Sequence, residues 1–402
     1  MGSNIKIIVA AILTVFAVCA LNSCANQSAD TDSDTQTQAT ENITETETEG
    51  EPEMNKDSKY YQLADKAVAS LIENYWSNSK NRFYDKSPKK YSNGYNYWWY
   101  AHGIDVFVDA YKRTGDEKYL GCIDGVVGDV IKRNGKIIND YYDDMEWMAL
   151  ALLRAYNETQ NEKYYKHVQT LWNDIRRGWN DTIGGGIAWR KEQFYYKNTP
   201  ANAPAAILAA RIYNVSKDEE MLEWAKKIYE FTKNNLVDAK TGQVWDGKNR
   251  QNDGKIDKDW NFTYCHGVYI GAGVELYKIT GEEIYLDDAK KTADYALKRF
   301  FNKKTGVMLE DDVNGGGDGG LFKGILLRYL TELYKAAPDM DGMEDIRAKI
   351  LANADILAEK GTNDIGNFTM AFDKAPRDGD GRDLSVQLSG CMLFEMAAVL
   401  DK

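Results

Sequence analysis

The chain has 402 residues and a formal net charge of −12, so it can form one large domain or two smaller ones, and its acidity argues against a nucleic-acid partner. Its five cysteines and three histidines are scattered, without a disulfide framework or a zinc-binding spacing such as HExxH. Since no metal-binding spacing, nucleotide-binding loop or cofactor fingerprint appears, we expect no catalytic transition metal and no organic cofactor.

The first 24 residues have the pattern of a bacterial lipoprotein signal peptide. Lys6 supplies the positive start, residues 7–18 are apolar, and Leu21-Asn22-Ser23-Cys24 matches a lipobox. The apolar run is too short to span a bilayer as a helix. We therefore expect a lipid on Cys24 that anchors the mature chain to a membrane. The alternative is a simple secretory signal with an incidental cysteine.

Residues 25–58 are predicted to be a disordered acidic tether. They include ten acidic residues, one lysine and almost no large apolar side chain, so they cannot bury enough surface to fold. The domain that follows, residues 59–402, then has a net charge of only about −4. By resemblance to lipoproteins of Bacteroidota-like bacteria, a tether of this kind favours the outer cell surface over the periplasm.

From residue 59 onward, two kinds of predicted helix alternate. Helices of the first kind are amphipathic and charged on one face: 60–76, 117–133, 161–178, 218–235, 283–301 and 341–359. Helices of the second kind are rich in Ala, Gly, Leu and aromatic residues: 97–113, 143–159, 202–214, 263–279, 320–336 and 385–401. A charged face indicates an outer helix, and an apolar surface all round indicates an inner one.

A weak internal repeat supports this pairing of helices. The segment Tyr111–Leu120 recurs as Tyr277–Leu286, and looser copies begin at Tyr156 and Tyr213. In each copy an inner helix ends and a short turn leads to the next outer helix. The glycine at the fifth position of both full copies suits the residue that follows a helix C-terminus, and the acids after it suit a new helix N-terminus. The sequence is therefore built from repeated helical hairpins.

Six such hairpins can close into a double ring, so we predict an all-α fold, the (α/α)6 barrel. The loops from outer to inner helices are long: 77–96, 134–142, 179–201, 236–262, 302–319 and 360–384. All of them meet on the face where the inner helices begin, and long loops commonly carry function. The alternative is an open helical solenoid that binds a partner.

Two adjacent aspartates, Asp143 and Asp144, stand at the start of the second inner helix, on that same face. Tyr142 precedes them and Trp147 follows. Paired carboxyl groups among aromatic rings suit glycosidic bond cleavage, in which one carboxyl protonates the leaving oxygen and the other attacks the anomeric carbon or activates water. The alternative is a helix cap beside a solvated acid.

Other candidate sugar-binding residues come from the long loops and the inner-helix starts. They are Trp99, Trp189, Asn202 and Tyr264, together with Tyr142 and Trp147 beside the aspartate pair. Asp311, Asp312 and Asp318 lie in the acidic, glycine-rich segment 310–320, which fits a loop that binds sugar hydroxyls. A calcium site and a flexible polar loop are the alternatives there. By contrast, Arg250, Asp253 and Asp257 are expected on a solvated face.

With these residues in place, the chain resembles the bacterial endo-α-1,6-mannanases of glycoside hydrolase family 76. The resemblance rests on five blocks in order along the domain: Tyr142-Asp143-Asp144 with Trp147, then Gly184–Trp189, Lys197–Pro204, Phe262–Val268 and Leu321–Tyr329. It implies an (α/α)6 fold and cleavage of α-1,6-linked mannose with retention. In that case Asp143 is the nucleophile and Asp144 is the acid/base.

The chain departs from the family pattern at two places. Cys265-His266 stands where the family usually has Asn-Gln, and Ala188-Trp189 stands where it has a bulkier aromatic pair. These differences concern the details of substrate binding more than the reaction.

We therefore expect a monomeric, membrane-anchored endo-hydrolase of mannan. A transglycosylase that uses the same aspartates, as in fungal relatives, is one alternative. The other is a surface glycan-binding lipoprotein, for which Asp143 is dispensable.

Overall fold

The computed structural model describes residues 54–87, 95–310, 316–376 and 382–401, and helices dominate these ranges. The α-helices in chain order are α1 (Lys59–Tyr75), α2 (Tyr97–Thr114), α3 (Lys118–Asn134), α4 (Tyr142–Thr159), α5 (Glu162–Ile175), α6 (Ala203–Ser216), α7 (Glu219–Leu236), α8 (Thr263–Thr280), α9 (Glu283–Phe300), α10 (Gly319–Ala336), α11 (Met343–Lys360) and α12 (Leu384–Leu400).

Within the described ranges, six two-residue strands lie in the loops between the helices. They are β1 (Trp76–Ser77), β2 (Arg82–Phe83), β3 (Lys86–Ser87), β4 (Lys197–Asn198), β5 (Gly247–Lys248) and β6 (Arg382–Asp383). All pair antiparallel, β1 with β2, β3 with β6 and β4 with β5. The β3–β6 pair joins the first long loop to the last one, and β4–β5 joins two loops beside α6 and α8.

The even-numbered helices form a closed inner ring. Each of α2, α4, α6, α8, α10 and α12 packs on the next, and α12 packs on α2. The odd-numbered helices lie outside, with α3, α5, α7 and α9 each against the inner helix that precedes it and α1 and α11 against α12. This closure confirms the predicted (α/α)6 barrel and excludes the open solenoid.

The distribution of apolar residues explains which helices lie inside. In α8 every residue from Thr263 to Leu276 is buried, because neighbouring helices cover it on all sides. In α5 the buried residues form one stripe of helical spacing along a single face: Tyr164, Val168, Leu171, Trp172 and Ile175. No helix in the described ranges is both long and apolar enough to cross a membrane.

The repeated sequence segment corresponds to the turns from inner to outer helices. In all four copies the residue after the helix has a left-handed conformation, with φ of 71° at Gly115, 54° at Gln160, 55° at Lys217 and 69° at Gly281. Its N–H donates to the carbonyl of the tyrosine that begins the copy. These short turns confirm the predicted hairpins and leave the long loops on the opposite face.

Buried ion pairs connect the inner helices well below the long loops. Arg154 of α4 pairs with Asp105 and Asp109 of α2, and Arg328 of α10 donates to both oxygens of Asp109, at 3.1 and 2.5 Å. Arg113 of α2 similarly pairs with a glutamate of α12. Because these residues lie in the middle and later turns of their helices, the network connects the inner helices below the face that carries the long loops.

Candidate active site

A cleft of about 570 Å³ lies among the long loops where the inner helices begin. Its lining is mainly aromatic and acidic and comprises Tyr95, Asn96, Tyr97, Trp98, Tyr141, Asp143, Asp144, Trp147, Trp189, Tyr196, Asn198, Pro200, Asp246, Arg250, Trp260, Phe262, Tyr264, Asp318 and Phe322. The two predicted aspartates therefore lie in the cleft, within the first turn of α4.

Asp143 accepts hydrogen bonds on both carboxylate oxygens. The backbone N–H of Asp144 donates to Oδ1 at 3.0 Å, and the indole Nε1 of Trp189 donates to Oδ2 at 3.0 Å. The first bond uses one of the amide groups that a helix N-terminus leaves without an intrahelical partner. Both donors stabilise the ionised form of this carboxylate.

Asp144 has a different environment. Its Oδ2 accepts one hydrogen bond, from the side-chain amide of Asn139 at 2.6 Å. Burial raises the pKa of Asp144 well above its ordinary value, and the nearby charges of Asp143 and Asp318 raise it further. Burial also raises the pKa of Asp143, but the two donors on its oxygens oppose that shift. The pair therefore favours a proton on Asp144 and the negative charge on Asp143.

Backbone pairing around Trp189 places its indole beside Asp143. The carbonyl of Trp189 accepts from the N–H of Tyr142 at 2.9 Å, and its own N–H donates to the carbonyl of Tyr196 at 3.1 Å. Lys197 follows Tyr196, is fully buried, and donates from Nζ to the carbonyl of Gly186 at 2.7 Å. The glycine-rich segment is thus held against the start of α4.

Aromatic side chains form a further wall of the cleft. Trp147 packs near Trp98, with ring centroids 6.4 Å apart, and on the buried His102, at 4.8 Å. Phe322 lies 6.4 Å from Trp98 and stacks on Tyr264 with centroids 4.0 Å apart and planes within 9°. These rings provide the flat apolar faces on which sugars stack.

Asp246 and Arg250 belong to the cleft, although the sequence did not single out Asp246 and placed Arg250 on a solvated face. Asp246 is buried and accepts from Tyr196, from Tyr264 and from the guanidinium of Arg250, at 2.9, 3.2 and 3.1 Å. Arg250 also lies over the ring of Trp260, 3.7 Å from its centroid. The prediction for Arg250 was wrong because its loop has no periodicity that indicates side-chain direction.

Several predicted binding residues lie elsewhere. Tyr142 is buried against Gly178 and Phe194, and its neighbour Tyr141 lines the cleft instead. Trp99 is likewise buried, while Trp98 faces the cleft.

Asn202 is fully buried and bonds to the backbone of Ile187 and Asn198, so it supports the glycine-rich segment rather than lining the cleft. Trp147, Trp189, Tyr264 and Asp318 do line the cleft. Asp311, Asp312 and the predicted lipid-bearing Cys24 are outside the described residues.

Glu146, one turn after Asp143 on α4, is a buried acid that the sequence did not indicate. It is 0% exposed, and apart from the nearby backbone N–H of Ala205 neither carboxyl oxygen has a hydrogen-bond partner among the described residues. Burial raises its pKa well above the ordinary value, and the charge of Asp143 adds to that shift. Glu146 is therefore held as a neutral acid beneath the pair.

The cleft as a whole combines an acid whose pKa burial and nearby charges raise, a second carboxyl group whose two hydrogen-bond donors favour its ionised form, and apolar stacking faces. This arrangement fits cleavage of a glycosidic bond. No group of three His, Cys, Asp or Glu side chains within the described ranges could hold a metal ion.

Comparison with known proteins indicates one family. Residues 23–402 match the model of glycosyl hydrolase family 76. An α-1,6-mannanase from a Salegentibacter species is 40% identical, with a TM-score of 0.79 over 85% of this chain and 100% of that one. The structure of an inactive variant of that mannanase, in which two neighbouring aspartates are replaced by alanine, is known in complex with α-1,6-mannotetrose. This variant is 39% identical to the chain, with a TM-score of 0.80 over 86% of this chain and 100% of that one.

A more distant relative is the mannan endo-1,6-α-mannosidase of Saccharomyces cerevisiae. It is 24% identical over 302 residues, which are 69% of this chain and 66% of the yeast protein. The chain thus matches slightly less than two thirds of the length of that relative.

Proposed function

The chain belongs to glycosyl hydrolase family 76, and from this we propose that it is an endo-acting hydrolase that cleaves α-1,6-mannosidic bonds of mannan backbones with retention. The observation that carries the proposal is the pair Asp143 and Asp144 at the base of an aromatic cleft, with each carboxyl group in its own environment. The likeness to a bacterial α-1,6-mannanase supports the choice of substrate.

In the proposed reaction, Asp143 is the nucleophile and Asp144 is the acid/base. The carboxylate of Asp143 attacks the anomeric carbon while Asp144 gives its proton to the glycosidic oxygen, so the C–O bond breaks and the leaving part of the chain departs as an alcohol. Asp144, now ionised, takes a proton from water as the water oxygen attacks the anomeric carbon and displaces Asp143. Two inversions produce net retention, and both groups return to their starting states.

The hydrogen bonds around the pair support this division of roles. The two donors on Asp143 keep its charge available for attack, and Trp189 fixes the direction of one oxygen. Among the described residues Asp144 has one donor, Asn139, and burial and the nearby negative charges favour its protonated form. The tryptophans and tyrosines of the cleft would stack against successive mannose rings.

The proposal can be tested with the purified protein and debranched yeast α-1,6-mannan. We expect the wild type to release short oligosaccharides, and Asp143→Asn and Asp144→Asn to release none while unfolding at nearly the wild-type temperature. Asp140→Asn is a matched control, because Asp140 is exposed in the preceding loop and does not line the cleft. Proton NMR of the first product should show the α-anomer if configuration is retained.

Other outcomes would point to different functions. Release of mannose alone would indicate exo action. Longer products formed with an added oligosaccharide acceptor would indicate a transglycosylase. Binding without release, unaffected by Asp143→Asn, would indicate a glycan-binding protein and would refute the hydrolase.

We also propose that a lipid on Cys24 tethers the enzyme to the outer cell surface. The lipobox and the acidic segment 25–58 support this. In the native host, Cys24→Ala should move the protein from the membrane to the soluble fraction. Protease added to intact cells should degrade the wild type if it faces outward and spare it if it faces the periplasm.

A further inference from the structure

Asp318 connects two elements at the cleft in a way that the catalytic pair does not account for. It directly precedes α10 and lines the cleft together with Asp144. Its Oδ1 accepts hydrogen bonds from the indole groups of both Trp98 and Trp99, at 2.9 and 3.0 Å. Both tryptophans lie in the first turn of α2. One carboxylate oxygen thus fixes two adjacent rings of a neighbouring helix.

The two rings that Asp318 fixes have different positions. Trp98 faces the cleft and packs near Trp147, whereas Trp99 is 5% exposed and lines a second cavity of about 320 Å³ behind Asp318. An indole N–H can only donate, so the shared oxygen has to accept both bonds, as a carboxylate oxygen with its lone pairs can. Among the described residues, the second carboxylate oxygen of Asp318 has no hydrogen-bond partner.

The charge of Asp318 is not cancelled by a nearby lysine. Lys86 lines the same second cavity, but its Nζ pairs with Asp383 at 3.0 Å. Within the described residues, no cation lies within ion-pair distance of Asp318. Asp318 is exposed, so water screens part of its negative charge, and the remainder acts on Asp144, which lines the same cleft.

We propose that Asp318 is a positioning residue for the acid/base Asp144: it fixes Trp98 as the wall beside that residue, and its negative charge keeps the proton on Asp144. The proposal rests on the function proposed above, in which Asp144 has to be protonated when substrate binds. Asp318 acts through Asp144 and takes no part in bond making or breaking.

The surroundings of Asp144 are consistent with this role. The groups that face it from its own helix and from neighbouring elements are the carboxylate of Asp143, the amide of Asn139, the carboxylate of Asp318 and the hydroxyls of Tyr95 and Tyr97. Arg250 lines the cleft but pairs with Asp246 and Asp257. Arg190, which is outside the cleft lining, lies over the rings of Tyr141 and Trp189. Asp318 is thus the one charged group facing Asp144 from outside α4 among the described residues.

The test separates the charge of Asp318 from its hydrogen bonds. Asp318→Asn keeps an oxygen that can accept from both indoles but removes the charge. The basic limb of its pH profile of kcat/KM should move to lower pH by up to about one unit, so that on the alkaline side of that limb kcat/KM falls by up to roughly tenfold relative to the wild type. KM should change little, since the cleft wall stays in place.

Trp98→Phe is the matched control, because it removes one indole donor and leaves the charge. It should lower kcat/KM by a similar factor at every pH and leave both limbs where they are in the wild type. An Asp318→Asn profile whose basic limb coincides with that of the wild type would overturn the proposal. So would a Trp98→Phe profile displaced to the same extent.

A second measurement needs no activity. An acid with a raised pKa in the folded state makes the protein lose stability as pH rises above the ordinary carboxyl range, because the folded state binds more protons than the unfolded state. Asp318→Asn should reduce this loss in the wild-type background but have no such effect in the Asp144→Asn background. Equal effects in both backgrounds would contradict the coupling.

The two measurements also keep the proposals distinguishable. An inactive wild type would refute the proposed hydrolase function. The comparison of Asp318→Asn in the wild-type and Asp144→Asn backgrounds would still decide whether Asp318 acts on Asp144.

Discussion

The buried Lys197 allows a quantitative prediction that links the stability of the glycine-rich segment to pH. Lys197 is 0% exposed and its Nζ donates to the carbonyl of Gly186 at 2.7 Å. Burial lowers the pKa of Lys197 from 10.5 to about 7. Its replacement by methionine keeps the length and removes both the titrating group and the hydrogen bond.

The sign and size of the effect follow from proton linkage. Between about pH 7 and 10.5 the unfolded chain holds a proton on Lys197 that the folded chain has lost, so the free energy of unfolding of the wild type rises with pH. Below pH 7 both states hold the proton and the contribution is constant. With about 1.4 kcal/mol per pH unit, the wild type should gain about 2 kcal/mol relative to Lys197→Met between pH 7 and pH 9.

The assay is urea unfolding of both proteins at pH 7, 8 and 9, with the difference in unfolding free energy as the result. Lys166→Met serves as the control, because Lys166 is exposed on α5 and its replacement should give a difference that does not change with pH. A constant difference for Lys197→Met over the same range would refute the reasoning. The variant should also lose activity at every pH, because the segment it loosens carries Trp189 to Asp143.

Three further predictions concern stability. Because burial raises the pKa of Glu146 in the folded state, the wild type should lose stability relative to Glu146→Gln as pH rises from 5 to 8, as thermal unfolding would show. Gly186→Ala should cost roughly 3 kcal/mol in urea unfolding, since φ is 91° and the added Cβ would lie 2.4 Å from a buried phenylalanine. Gly184→Ala, with φ of 90° and open space, should show only the smaller backbone cost. Arg328→Met should cost about 3–5 kcal/mol by the same measurement, because it removes one partner of a buried aspartate.

The helices could be predicted from the sequence because each had a physical signature. A single buried stripe marked the outer helices, and nearly continuous apolar sequence marked the inner ones. The repeated turn residues marked the connections from inner to outer helices, because a left-handed residue after a helix C-terminus is a matter of local backbone geometry. The predicted helix 161–178 was too long at its end, since α5 stops at Ile175 and a 3₁₀ turn, Arg176–Gly178, follows.

The cleft could be predicted only in part, and the errors have a common cause. Successive side chains of a helix point about 100° apart, so the exact start of α2 and α4 decides which of two adjacent aromatic residues faces the cleft. The sequence favoured Trp99 and Tyr142, whereas Trp98 and Tyr141 line it. Asp246 was missed for another reason. It lies in a long loop, where no periodicity indicates direction and only the folded chain brings it to the tyrosines that bond it.

Asp143 and Asp144 are identical side chains at one helix start, yet the proposed mechanism requires one of them ionised and the other protonated. Their positions along α4 are nearly equivalent, so the helix itself cannot separate them. The difference comes from elements distant in the sequence. Trp189, from the loop before α6, donates to Asp143, while Asp318, from the loop before α10, adds negative charge beside Asp144. The barrel brings both loops to the pair, so closure of the ring gives the two aspartates the different environments that the proposed nucleophile and acid/base require.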